Sequence, residues 1–155
     1  MGFLLPLTIA NTDRKFREII KSAEVIANTL THLGLPTLYR AKLFNKIVIS
    51  RLVYPARVNT PSPEVYNALE WLQRKFLGKV YKNNRTYFGR ALLEYCRPLN
   101  EGGLGLIHAP TFIKAVHKAA SQTPKASVKR TYTLELAKVR VQNNDKIDAW
   151  KSHIF

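Results

Sequence analysis

A mainly α-helical, strongly basic domain is what this sequence predicts, and three observations carry that expectation. Apolar residues recur at intervals of three and four along most of the chain. Glycine or proline closes the stretches patterned in this way. Lys and Arg number 25 against 10 Asp and Glu, a net charge of +15 with a pI near 10.2.

Residues 2–9 are apolar around Pro6 and of strand length, so they predict a short N-terminal strand or extended arm. Asn11, Thr12 and Asp13 offer N-caps to a first helix. In it Phe16, Ile19, Ile20, Ala23, Ile26, Ala27 and Leu30 share one side, and it runs to about His32 and stops at Gly34. Pro36 and Thr37 open a second segment with Leu38, Ala41, Phe44, Val48 and Leu52 as its inward stripe. Pro55 ends or kinks it, because proline lacks a backbone donor and clashes with the preceding turn. Residues 60–64 read as a turn followed by an N-cap with proline at the first helical position. The third helix buries Val65, Leu69, Leu72 and Phe76 and terminates at Gly78. A short helix over 91–95, a glycine turn at 102–105 and a helix from Pro110 with Phe112, Ala115, Val116 and Ala119 inward come next. Residues 1–120 form the domain, 121–131 a linker, and 132–155 a helical tail with Leu136, Val139 and Ile147 near one stripe.

The charge points to a polyanion. Basic residues are spread over the whole length, and no acidic residue falls between Glu24 and Glu64 or between Glu101 and Glu135. Such an excess repels itself unless a partner neutralises it. Residues 79–90 set Lys79, Lys82, Arg85 and Arg90 among Tyr81, Tyr87 and Phe88, which supplies cations for phosphates and rings for bases. The competing reading is a loop whose aromatics fold into the core, favoured for Phe88.

Other chemistry finds little material. Two-metal phosphoryl transfer needs clustered carboxylates, yet the Asp are only Asp13, Asp145 and Asp148, and the last two read as surface ion pairing beside Lys146. His32, His108, His117 and His153 are scattered, so no metal or other cofactor is expected. His117 reads as a phosphate contact or a plain surface residue. Cys96 is the lone cysteine, a structural thiol excluding an internal disulfide and fitting a reducing, intracellular compartment. No apolar run reaches the roughly 18 residues that span a bilayer, and the opening residues lack signal, myristoylation and transit-peptide features. The glycines at 102–105 precede no Gly-Lys-Ser/Thr and so form a turn instead of a phosphate loop.

An ordered series of motifs carries a resemblance. Gly2-Phe3 comes first, then Leu33-Gly34-Leu35-Pro36-Thr37-Leu38-Tyr39-Arg40-Ala41-Lys42-Leu43, Ile49-Ser50-Arg51-Leu52-Val53-Tyr54-Pro55-Ala56-Arg57-Val58 and Pro61-Ser62-Pro63. Arg74-Lys75-Phe76-Leu77 follows, then Tyr95-Cys96-Arg97-Pro98 with Gly102 to Leu106. Over about residues 1–120 the chain resembles the region beyond the catalytic palm in non-LTR (LINE-type) retrotransposon reverse transcriptases. The resemblance implies a thumb-like helix bundle that grips nucleic acid, RNA or an RNA–DNA hybrid above all, through its phosphates. The palm's Tyr/Phe-x-Asp-Asp motif is absent, so the expectation is a binding protein and not an enzyme, either a remnant or a fragment recruited to a new role.

The expected contacts are Arg40, Lys46 and Arg51 on the second helical segment, Lys79, Lys82, Arg85 and Arg90 in the basic segment, and Lys114 and Lys118 on the later helix. One alternative is a structural RNA-binding subunit of a ribonucleoprotein such as a mitochondrial or cytosolic ribosome, docking protein partners through its tail. Another is a thumb supplied in trans to a separate polymerase palm.

Overall fold

The computed structural model describes residues 9–78, 92–121 and 127–154, with side chains assigned over 11–78, 92–121 and 127–142. Among these the structure is helical, as the sequence predicts, and contains no strand. The expected N-terminal arm lies outside the described residues except for Ile9, which opens a helix.

Helix α1 (Ile9–Leu33) buries Phe16, Ile20, Ala23, Ala27 and Leu30, a four-three-four-three repeat that turns one side to the core. It stops where Gly34 takes a φ of +62°, a left-handed conformation open to glycine at little cost. Helices α2 (Thr37–Phe44) and α3 (Ser50–Val58) are joined without a break by a π turn, Asn45–Ile49. The Ser50 hydroxyl shares its one proton between the Lys46 and Ile47 carbonyls at 2.7 and 3.3 Å, supplying a donor where the wider turn shifts the backbone ladder. Pro55 sits inside α3, and the helix runs past it to Val58.

Helix α4 (Pro63–Phe76) starts with proline at its first position, as expected, while the Ser62 N–H donates to Asp13 Oδ1 at 3.0 Å and fixes the turn to α1. Phe76 meets Phe44 edge-on with ring centroids 5.3 Å apart, and both are fully buried. After the single turn α5 (Leu92–Tyr95) and a 3-10 turn at Leu99–Glu101, Gly102 takes a φ of +85°. A Cβ on Gly103 would collide with the Arg97 carbonyl, so only glycine allows this close approach.

Residues 104–108 then lead into α6 without regular secondary structure, burying Leu106 and His108 while Gly105 stays exposed with a φ of +67°. Two side-chain amides take a strand's place. Asn45 Nδ2 donates to the Gly105 carbonyl and its Oδ1 accepts the Ile107 N–H, both at 2.9 Å. Gln73, wholly buried on α4, donates to the Ile107 carbonyl at 2.6 Å and accepts the Ala109 N–H at 3.1 Å. An amide carries the same donor and acceptor as a peptide group, so Gln73 satisfies backbone that burial would otherwise orphan, and Asn45 pins the more exposed start of the segment.

Helix α6 (Ala109–Ser121) packs on α3 and α4, and α7 (Val128–Ile154) packs on α6. Because α7 begins at Val128, the expected linker over 121–131 is cut short at both ends, Ser121 belonging to α6. The start of the expected tail is part of the fold: Tyr132 stacks edge-on against Phe112, and Leu136 is buried.

Candidate nucleic-acid interface

The continuous α2–α3 helix has two faces of opposite character. Ala41, Phe44, Val48, Leu52 and Ala56 are buried, which fixes the rotation of the helix. On the side opposite stand Tyr39, Lys42, Lys46, Arg51, Tyr54 and Arg57, all exposed and separated by three to five residues. Tyr39 and Tyr54 keep 59% and 62% of their surface in contact with solvent, high values for rings on a folded domain. Four cations and two aromatic rings therefore form a single stripe that contains no carboxylate.

Arg51 and Tyr54 also line an open groove of about 300 Å³ against α1, together with Pro55, Lys15, Ile19 and Glu18. Across it Arg51 Nη1 donates to Ser22 Oγ at 3.4 Å. Glu18 is the one carboxylate that lines the groove, and Lys15 lines it as well.

The expected contacts separate into four groups. Lys46 and Arg51 lie exposed on the stripe. Arg40 does not: it is 7% exposed and its guanidinium donates to the Leu30 carbonyl at 2.9 Å and the Leu35 carbonyl at 3.1 Å. It closes the C-terminal end of α1, whose last carbonyls lack intrahelical partners and attract positive charge, and so drops out of the phosphate-contact set. Lys114 and Lys118 are exposed on α6, each with a local partner. Lys114 Nζ sits 5.2 Å from the centre of the Tyr66 ring, and Lys118 Nζ is 3.0 Å from Glu135 Oε1 on α7. Lys79, Lys82, Arg85 and Arg90 fall outside the described residues, as does the reading of residues 79–90 as a contact surface.

Tyr39, Lys42, Tyr54 and Arg57 were not singled out from sequence. The signal was present: counted from the apolar stripe Ala41, Phe44, Val48 and Leu52, these positions fall on the far side.

A second polar cluster lies inside the bundle. His108, 5% exposed, places Nδ1 2.6 Å from Thr111 Oγ1 and Nε2 3.4 Å from Glu70 Oε1, while its backbone N–H donates to the Tyr132 hydroxyl at 2.9 Å. With the ring proton on Nε2, His108 donates to Glu70 and accepts from Thr111. That bond to His108 holds the Glu70 carboxyl below its ordinary value against the opposing effect of burial. Hydroxyl, imidazole and carboxylate here follow the order of a nucleophilic triad, but Thr111 is 2% exposed and the cluster ties α4, α6 and α7 together instead. Burial pushes the Cys96 thiol up to about 12, leaving it protonated and unreactive. His117 is half-buried, with Nδ1 3.3 Å from the Ala56 carbonyl. Among the described residues no three His, Cys, Asp or Glu side chains gather as metal ligands, and no helix is long and apolar enough to cross a membrane.

Comparison with protein-family models, with curated proteins and with solved structures finds no match to this chain.

Proposed function

We propose that the chain is a nucleic-acid-binding protein that takes phosphates along the exposed side of α2–α3. The observation that carries the reading is the stripe itself: Lys42, Lys46, Arg51 and Arg57 in a row, interleaved with exposed tyrosines and turned away from the core. A row of cations releases counterions from a phosphate backbone in proportion to the contacts made, and a net charge of +15 adds a long-range attraction. The reading agrees with the sequence's resemblance to the region beyond a reverse-transcriptase palm, where the role is grip and not chemistry.

The test is a salt series on the variant Lys42→Gln/Lys46→Gln/Arg51→Gln. Each lost phosphate contact should flatten the log–log dependence of affinity on salt by about 0.7 for a single strand or 0.9 for duplex DNA. The triple variant should therefore lose about two units of slope on a single strand and nearly three on duplex DNA, while its unfolding midpoint stays within the range of surface substitutions. An unchanged slope would sink the assignment.

One observation favours a second reading, a subunit of a ribonucleoprotein held by protein as well as RNA. Leu134 and Val141 stand exposed seven residues apart on α7, at 60% and 59%. Leu134→Asp/Val141→Asp would then abolish co-assembly with a protein partner and leave RNA affinity intact.

A further inference from the structure

Resting on that reading, we infer that the ligand of the α2–α3 stripe is a single-stranded segment, held by its phosphates on Lys42, Lys46, Arg51 and Arg57 and by unpaired bases stacked on Tyr39 and Tyr54. The cations alone do not distinguish strand number, since any phosphate backbone satisfies them. The tyrosines do. Each presents a ring to solvent, Tyr39 at the start of the row and Tyr54 between Arg51 and Arg57. The face of an aromatic ring finds a matching apolar face only on a base released from its stack, because in a duplex those faces are covered by neighbouring base pairs.

Spacing supports the same ligand. Tyr39 and Tyr54 are separated by roughly 22 Å along the helix at about 1.5 Å per residue, a span on the order of four nucleotides and the low end of known single-strand sites. Between them Lys42, Lys46 and Arg51 come up about once per turn. The Arg51 and Tyr54 side chains border the groove against α1, where Ile19 and Pro55 offer an apolar wall. A base stacked on Tyr54 would have its edge against this wall. A helix inserted in a duplex groove would instead carry its readout in amide and guanidinium groups aimed at base edges, whereas this stripe has no Asn or Gln and exposes two tyrosine rings.

The experiment is fluorescence anisotropy of the full chain with labelled oligouridine, oligothymidine, duplex RNA, duplex DNA and an RNA–DNA hybrid at matched salt. Wild type is compared with Tyr39→Ala, Tyr54→Ala, the double Tyr→Phe variant and the triple cation variant. Single strands should bind tighter than all three duplexes. Each Tyr→Ala should weaken single-strand binding about tenfold with the salt slope unchanged, and Tyr→Phe should retain it. Duplex or hybrid binding as tight as single-strand binding overturns the inference but leaves phosphate binding standing, as does Tyr→Ala without effect. Loss in Tyr→Phe equal to that in Tyr→Ala assigns the hydroxyl and also overturns stacking. An unchanged salt slope in the triple cation variant removes the reading beneath it. Circular dichroism of each variant separates these outcomes from unfolding.

Discussion

Arg40 and Lys42 stand two residues apart on α2 and do opposite things. Arg40 turns back onto the end of α1 and donates to two carbonyls inside the protein, while Lys42 faces water on the row with Lys46 and Arg51. The difference extends to the whole molecule. Polar side chains directed inward, Arg40 and Gln73, bond to backbone that would otherwise be orphaned, half-buried Asn45 pins the segment before α6, and His108 joins side chains of two helices. Those directed outward on α2–α3 stand exposed to solvent, and Arg51 reaches Ser22 on α1 from the surface. A cation's sign therefore does not assign its task; its phase against the apolar stripe and the orphan carbonyls within reach do.

That division is open to direct attack. Gln73→Ala should have the largest effect, because it opens a cavity where a wholly buried side chain stood and strands the Ile107 carbonyl and the Ala109 N–H. A loss of roughly 3 kcal/mol or more is expected by urea denaturation, combining the cavity with two unsatisfied buried groups. If the loss were under about 1 kcal/mol, the amide would not be the clamp its geometry describes.

Arg40→Met follows. Methionine retains much of the aliphatic stem but leaves the Leu30 and Leu35 carbonyls without the guanidinium, at a cost of about 2 kcal/mol. Its salt slope for nucleic acid should match wild type. Lys42→Gln should do the reverse, holding stability within about 0.5 kcal/mol and lowering the slope by about 0.7 on a single strand. Equal behaviour of the two variants in both assays would erase the distinction between the faces.

Much of the inward face was legible in the sequence. The repeat Phe16, Ile20, Ala23, Ala27, Leu30 is buried where its spacing puts it, as are Ala41, Phe44, Val48 and Leu52, and the stops at Gly34 and Gly78 take positive φ. These features are local, fixed by periodicity and by backbone conformations open to glycine. Beyond the linker's bounds and the helix running past Pro55, the features the sequence did not disclose are tertiary. Arg40 looked like a surface cation because nothing near it in sequence marks the carbonyl of Leu30, ten residues earlier, as needing a donor. Asn45 and Gln73 carry no sequence signal for bonding a segment 34 to 62 residues downstream. The stripe of tyrosines and cations is readable from helix phase, whereas the acid-free gap holds Arg40 and Lys42 alike and does not separate them.

Tyr132→Phe asks whether α7 belongs to the fold or trails from it. Its hydroxyl accepts the His108 N–H at 2.9 Å, so its removal should cost about 1 kcal/mol, read as a lower unfolding midpoint. No change would return α7 to the detachable tail expected from sequence.

The smallest effect separates the two faces by pH. The Glu70 carboxyl is held below its ordinary value of 4.5 mainly by its bond to His108, and Glu135 likewise by Lys118. A carboxyl depressed in the folded state binds fewer protons there than in the unfolded chain. Its contribution is thus fully present above the ordinary value and is lost as pH falls through the lower, folded one. Glu70 is partly exposed and Glu135 bridges surface lysines, so screening limits each to below about 1 kcal/mol. Glu70→Gln should be slightly less stable than wild type at neutral pH, and the gap should close on acidification below about 4.5 as wild type loses the same charge. Lys42→Gln should show no such convergence, since the outer row has no carboxylate whose protonation it could mirror. A gap for Glu70→Gln that persisted through acid would mean that shape, and not the charged bond to His108, holds α4 against α6.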